Sequence, residues 1–226
     1  MNDAENIDSI KQDESDLRVS LFADLRVECI GLVFEGQARE QGYLFIAGVD
    51  EVGRGCLAGP VVAAACILDY DKPLPDGLDD SKKLEAAKRE TIAAELKETC
   101  VAYALGQVEA DEIDRINILE ATKKAMLAAI NSLKPAADYL LIDALRLKQT
   151  HLPQRAIIKG DSVSASIAAA SILAKTYRDE LMCRYDGEFP LYGFAGHKGY
   201  GAATHLDAIK LHGSCPIHRK SFHGVI

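Results

Sequence analysis

The sequence predicts an α/β domain, and three observations carry the expectation. Short runs rich in β-branched and aromatic residues recur along the chain, longer stretches with apolar residues at helical spacing lie between them, and turns marked by Pro, Gly and Asp separate the two kinds. Their order is a three-strand meander interrupted by one helix, then strand and helix in alternation.

Residues 1–16, MNDAENIDSIKQDESD, are polar and acidic with few large apolar groups, a composition expected to be disordered. From Leu17 to Gln41 apolar positions recur loosely enough for one or two helical turns, and residues 1–42 are set apart as a poorly defined extension. YLFIAGVD (43–50) and GPVVAAACIL (59–68) read as two strands joined by a tight glycine-rich loop. DYDKPLPDGLDD (69–80) is a loop, and Ser81 is placed to cap a helix through KKLEAAKRETIAAELKET. VAYALGQV (101–108) is a third strand. EADEIDRINILEATKKAMLAAINSL (109–133) repeats Ile113, Ile116, Leu119, Met126, Leu127 and Ile130 near helical spacing, with acids in its first turn. DYLLIDAL (138–145) and RAIIKGD (155–161) read as strands buried on both faces, as in a parallel sheet. SVSASIAAASILAKTYRDELMCRY (162–185) sets Val163, Ile167, Ala170, Leu173, Tyr177 and Leu181 on one helical stripe. Its alanines at 165–174 suit close packing on a sheet.

At 226 residues and 48% hydrophobic content, the chain can bury a substantial core, and nothing in it resembles an interdomain linker. Cys29, Cys56, Cys66, Cys100, Cys183 and Cys215 are scattered without C-x-x-C or zinc-ligand spacing, so free thiols in a reducing compartment are expected. No apolar h-region or membrane-length run is visible, which points to a cytoplasmic protein with no membrane partner. The net charge of −8 argues against non-specific coating of nucleic acid. That charge is uneven. Residues 1–49 hold 4 basic and 10 acidic groups, residues 50–143 hold 11 and 18, and residues 144–226 hold 11 and 6, with all six histidines in the last third. A polyanion touching one basic face would suit this split, and so would ordinary variation in surface charge.

The loop GVDEVGRG (48–55) nearly spells a phosphate-binding loop. Gly48 and Gly53 hold the Walker glycine positions, but Arg54 and Gly55 replace the lysine and hydroxyl, and Pro60 with a strand-like run follows where a helix should open. Asp50 and Glu51 inside the loop would repel a phosphate. A nucleotide switch is therefore excluded.

Four acids stand out by position: Asp50 and Glu51 end the first strand, Asp143 ends the fourth, and Asp161 ends the fifth and opens the long helix. Ligand sites of open α/β sheets lie off the carboxyl ends of strands, so these acids can converge. Taken singly, Asp161 reads as a helix cap, Asp143 as a loop acid and Asp50-Glu51 as a solvated turn. Together they are harder to explain that way, because two unit charges about 4 Å apart repel by roughly 4 kcal/mol at an effective dielectric near 20. An all-oxygen cluster without His or Cys selects Mg²⁺ or Mn²⁺, and paired ions of this kind act on phosphodiesters. Gly53, Gly55 and Gly59 let backbone approach a sugar-phosphate chain, and Arg54 adds a donor fork beside the acids.

The segments GVDEVGRGCLAGPVVAAACIL, LDDSKKL, IDRINILEATKKAM, YLLIDAL, KGDSVSASIAAASILAKTYRD and HKGYGAATHLDAIKLHG resemble, in order and spacing, the bacterial ribonuclease HII family over roughly residues 43 to 223. The D-E-x-G-R-G loop followed by G-P is the most specific of them. The resemblance implies a ribonuclease H-like fold: a five-stranded mixed sheet flanked by helices, in a catalytic domain over 43–226 with a C-terminal helical portion from about 186 that helps clamp the duplex. It implies hydrolysis of the RNA strand of RNA/DNA hybrids and cleavage 5′ of single ribonucleotides in duplex DNA, leaving 3′-hydroxyl and 5′-phosphate ends, with a two-metal Mg²⁺ or Mn²⁺ site. Asp50, Glu51, Asp143 and Asp161 match the metal-binding catalytic acids; Gly53, Arg54 and Gly55 match the loop that senses the ribose 2′-hydroxyl; Tyr200 matches the tyrosine that stacks on the sugar at the RNA–DNA junction. Ser81, Lys82 and Ser164 match phosphate-backbone contacts more weakly.

Two departures are visible. The family often has threonine two positions after the tyrosine, where this chain has Ala202 and only later Thr204, and residues 1–42 hold little that the family fixes. The tail HRKSFHGVI carries no glutamine-led aromatic box of the sort that binds a sliding clamp, and a monomer is expected. Ribonuclease HIII, the near rival, carries an extra N-terminal platform domain and lacks the arginine between the loop glycines. A binding module that had lost catalysis would have lost one of the four acids, and none is lost. His197 and His205 flank Tyr200, and satisfied structural groups are the expected reading for both.

Overall fold

A computed structural model of the chain describes residues 29–225, so the expectation of disorder over 1–16 lies outside the described residues. The sheet has five strands: β1 (Ile46–Val52), β2 (Val61–Ile67), β3 (Ala102–Val108), β4 (Tyr139–Asp143) and β5 (Gln154–Ile157), in the order β3-β2-β1-β4-β5. β1, β2 and β3 form an antiparallel meander, while β4 lies parallel to both β1 and β5. The strand ending in Asp50 and Glu51 is thus central, and the parallel register, with Val49 opposite Ile142, brings Asp50 beside Asp143 at the same sheet edge.

Among the described residues, seven α-helices accompany the sheet: α1 (Val33–Glu40), α2 (Ala86–Thr99), α3 (Ala110–Ile116), α4 (Ile118–Asn131), α5 (Ala165–Glu188), α6 (Phe194–His197) and α7 (Ala203–His212). Strand alternation sorts the core between two faces. Val49, Ala63 and Ala65 pack with Ala121, Ala125 and Met126 of α4, whereas Val62, Ala64 and Cys66 pack with Ile92 and Leu96 of α2 and the alanines of α5. The contact of α5 with β1 is unusually close. A Cβ added at Gly48 would lie 2.0 Å from the Ser166 carbonyl carbon, so only glycine admits the helix there. A third cluster, around Leu57, Met182, Phe194 and Ile209, joins the loop after β1 to the C-terminal helices.

Four expectations change in detail. α2 opens at Ala86 with Glu85 before it, because Asp80 caps a separate turn instead, its side chain accepting from the Lys82 N–H (2.9 Å) and its carbonyl from Lys83 (2.9 Å). Ser81 is therefore no helix cap. The stretch 109–133 breaks at Asn117, whose φ of 68° interrupts the helix and whose side chain caps α4 by accepting from the Leu119 and Glu120 N–H groups. β5 is an edge strand ending at Ile157, with Ala156 exposed, so it is not buried on both faces. Asp161 lies beyond it in a 3₁₀ turn, Gly160–Ser162, and the cap of α5 is Ser164. Among the described residues, the cysteines are all free and no helix is long and apolar enough to cross a membrane.

Candidate active site

The four acids meet at one edge of the sheet. Asp50 is 4% exposed, and one of its oxygens accepts from the N–H of Glu51 (2.7 Å). Asp143 closes β4 and accepts from the N–H of Gly160 at 2.7 Å, which ties it to the turn carrying Asp161. Asp161, 5% exposed, receives Lys82 Nζ on Oδ2 at 2.9 Å, and Glu51 receives Arg54 Nη1 on Oε1 at 3.2 Å. Lys82 reaches across from the loop before α2 with its side chain 74% exposed.

The electrostatics follow from that crowding. Burial, then the neighbouring Glu51 and Asp143, push the Asp50 carboxyl well above the usual carboxylate range. Burial raises Glu51 against the pull of Arg54, and burial raises Asp143 with a further push from Asp161. Among the described residues, no three Asp, Glu, His or Cys side chains close around a common point as they would around an ion. Glu51 and Asp161 are each turned to a cation, Arg54 and Lys82, while Asp50 and Asp143 accept from backbone N–H groups. The donor set nonetheless fits a hard divalent cation: it is all oxygen, and Glu51 Oε2 is buried with no hydrogen-bond partner.

The glycine loop divides by role. Gly53 has φ +90° and a Cβ there would lie 2.2 Å from Arg178 Nε, so this glycine serves the protein's own packing. A Cβ on Gly55 meets nothing within 4 Å, which leaves an open backbone face beside the acids. Tyr200, 42% exposed, stands on the segment that holds this loop from the other side, where Leu57 N–H donates to Gly199 C=O at 2.8 Å.

Two resemblance-derived contacts face inward. Ser164 is 0% exposed and donates from Oγ to Glu35 Oε1 at 2.6 Å, while Ser81 is 3% exposed with Oγ 2.9 Å from Ser171 Oγ. Neither hydroxyl is offered to solvent. A cavity of about 480 Å³ lies under the loop from Arg146 to Gln154, and none of the four acids lines it.

Several supporting residues escape the sequence reading. Arg178 of α5, fully buried, donates Nε to Pro60 C=O (3.0 Å), Nη1 to Lys198 C=O (2.9 Å) and Nη2 to Ala58 C=O (3.1 Å). Arg219, also fully buried, donates Nε and Nη2 to Gly59 C=O and Nη1 to Arg54 C=O. Burial holds its guanidinium down to about 10. Two buried arginines thus fasten residues 54–60 to α5 and to the segment after α7. His197 and His205 are satisfied structural groups. The Cys215 N–H fixes Nδ1 of His218 as an acceptor, so His218 Nε2–H donates to His205 Nε2 (3.0 Å) and His205 Nδ1–H to Tyr200 C=O (2.8 Å). His197 Nδ1 accepts from the Gly199 N–H, which leaves its Nε2–H for Tyr192 C=O.

A five-stranded mixed sheet with carboxylates gathered off its central strands defines a ribonuclease H-like nuclease. The comparisons with known proteins make the assignment particular. Residues 47–225 match the family model described as Ribonuclease HII. The chain is 53% identical over 191 residues to a ribonuclease HII of Ruminiclostridium cellulolyticum, covering 84% of this chain and 74% of that one. It is 52% identical over 209 residues to the ribonuclease HII of Geobacter metallireducens, covering 92% and 97%. The crystal structure of ribonuclease H2 from Pyrococcus horikoshii OT3 superposes with a TM-score of 0.68 at 26% identity, over 80% of this chain and 95% of that one. The chain belongs to the ribonuclease HII family and is a ribonuclease H endonuclease.

Proposed function

We propose that the chain cuts the RNA strand of RNA/DNA hybrids, and duplex DNA on the 5′ side of a single ribonucleotide, with Asp50, Glu51, Asp143 and Asp161 holding two Mg²⁺ or Mn²⁺ ions. The observation that supports this reading is the gathering of the four acids at one edge, with the loop that carries the open backbone of Gly55 tied to Glu51 through Arg54. When bound, the ions would supply counter-charge and Lewis acidity for phosphodiester hydrolysis. The remaining roles belong to the chain. Phosphate contacts such as one from Lys82 position a duplex without distinguishing RNA from DNA, and the 2′-hydroxyl is the group that makes the distinction. In this reading backbone groups of the Gly53-Arg54-Gly55 loop meet that hydroxyl and the ring of Tyr200 packs on the sugar beyond it; the open space at Gly55 and the 42% exposure of Tyr200 support it. The loop and Tyr200 are fastened to one another through Leu57, Gly199 and Arg178, so the sugar step is read by one rigid unit.

The structure suggests a sharp test. Gly55→Val places its side chain in open space, so the variant keeps its thermal stability but loses cleavage of both an all-RNA strand and a lone ribonucleotide. Tyr200→Ala harms cleavage at a lone ribonucleotide more than within an all-RNA strand. Wild-type activity in Gly55→Val removes the recognition role of the loop, and equal losses in Tyr200→Ala remove the junction role.

A further inference from the structure

The N-terminus of α5 is where a phosphate would be favoured, because a 24-residue helix leaves unpaired N–H groups and partial positive charge there. The chain supplies its own anion instead. Glu35 of α1 is 0% exposed, and its Oε1 accepts from Ser164 Oγ (2.6 Å), Ser166 N–H (2.9 Å) and Ser166 Oγ (2.7 Å). The backbone reinforces the clasp: Ala165 N–H donates to Gly31 C=O at 2.9 Å, within a parallel bridge between Gly31 and Ser164.

What the clasp holds is the turn between two catalytic acids. Ser164 N–H and Val163 N–H both donate to Gly160 C=O, at 2.9 and 3.1 Å, and Gly160 N–H donates to Asp143 at 2.7 Å. Asp161 sits inside that turn. A connected path therefore runs from Glu35 through Ser164 and Gly160 to Asp143 and Asp161. The path has an energetic oddity. Glu35 Oε2 is buried with no partner, and an incompletely satisfied buried carboxylate costs stability that an apolar residue would not.

We propose that Glu35 is a positioning residue for the catalytic site: through Ser164 and Ser166 it fixes the turn that aims Asp143 and Asp161. The segment carrying it lies outside residues 47–225, so this gives the helix before β1 a part in the enzyme. Ser164 serves the reaction from inside, and its hydroxyl is not a phosphate contact. This inference rests on the proposed use of the four acids.

The test compares wild type with Glu35→Gln, which keeps the shape and removes the charge, and with Ser166→Ala, which removes one hydroxyl and remains available if Glu35→Gln does not fold. Hydrogen exchange without metal reads the turn directly: peptides spanning 158–168 exchange faster in either variant, while β2 and α4 are unchanged. With a single-ribonucleotide duplex and Mn²⁺, kcat falls by about 10- to 100-fold, the usual range for a residue that orients metal ligands, and KM stays within about twofold. Because both variants break one path, the double variant loses less than the product of the single losses. Unchanged exchange over 158–168, or a loss confined to KM, overturns the proposal. If wild type itself fails to cut the duplex, the catalytic reading fails, and the exchange measurement still decides whether Glu35 holds the turn.

Discussion

Replacing Arg178 by methionine removes three hydrogen bonds at once and leaves the carbonyls of Ala58, Pro60 and Lys198 without their guanidinium donor. Stranding a buried acceptor costs about 1–3 kcal/mol, so three set a lower bound of about 3 kcal/mol, since relief from burying the guanidinium offsets the upper range. For a chain of 226 residues each kcal/mol moves Tm by about 2–4 °C, giving an expected fall of about 6–12 °C. The loss is local as well as global, because those carbonyls tie the glycine loop to the segment before Tyr200. Cleavage at a lone ribonucleotide should therefore drop by about 100-fold even well below Tm, the penalty for displacing a reacting group by about 1 Å. Scanning calorimetry and single-turnover cleavage at 25 °C measure the two effects. A Tm within about 2 °C of wild type, the shift expected for less than 1 kcal/mol, together with unchanged turnover, refutes the assignment of Arg178 as the fastening between the two segments.

Asp161→Asn should leave the fold intact and abolish cleavage: Ser164, not Asp161, caps α5, and the change gives up one ion pair whose Lys82 end is 74% exposed. Circular dichroism with a cleavage assay checks this, and near-normal turnover removes Asp161 from the chemistry. Asp50→Asn should raise Tm in EDTA, because it deletes a buried charge from a cluster where two unit charges about 4 Å apart repel by roughly 4 kcal/mol. Mg²⁺ or Mn²⁺ should raise the Tm of wild type and not of this variant, and equal shifts in both would place the ions elsewhere. His218 is held down at about 4 by burial and by His205, so the unfolded chain takes up its proton first as pH falls below about 6.5. Stability fully present above that pH is then lost progressively toward pH 4, by up to about 3 kcal/mol from this group. Urea melts at pH 7.5 and 5 should show a larger loss in wild type than in His218→Gln, where His205, also held down by burial, still contributes; a matching loss in both would assign it to other groups.

Composition and spacing located the strands and the longer helices because both signals are local: Val61 to Ile67 is apolar throughout, and Met126 and Ile130 recur at a helical interval within α4. That Asp50, Glu51 and Asp143 would share one edge could be read from the sequence, because each lies at the end of an apolar run, whereas Asp161 stands in a turn beyond β5 and joins them through Gly160. Boundaries failed where a side chain outcompeted the helix, as Asn117 does by capping α4 from a positive φ, and Asp80 by closing a turn ahead of α2. The supports of the site were not legible, for a different reason. Glu35 and Arg178 are charged residues on helices, and their partners lie 129 and 118 residues away, at Ser164 and Pro60. Arg178 did leave a trace: it falls in step with Ser171, Ala174 and Met182, all buried, so a charge interrupts an inward stripe. Glu35 left none, since α1 has only Ala38 as a second buried position.

The central claim is that the four-acid edge hydrolyses the phosphodiester on the 5′ side of a ribonucleotide using divalent cations. A DNA duplex with one ribonucleotide, labelled at the 5′ end of the ribonucleotide-containing strand, tests it directly when incubated with the protein in Mg²⁺ or Mn²⁺ and again in EDTA. The account predicts one metal-dependent cut, a labelled fragment ending in a 3′-hydroxyl just before the ribonucleotide, and an unlabelled fragment beginning with a 5′-phosphate. A 2′,3′-cyclic phosphate on the labelled fragment, full activity in EDTA, or equal cutting of an all-DNA duplex would contradict it.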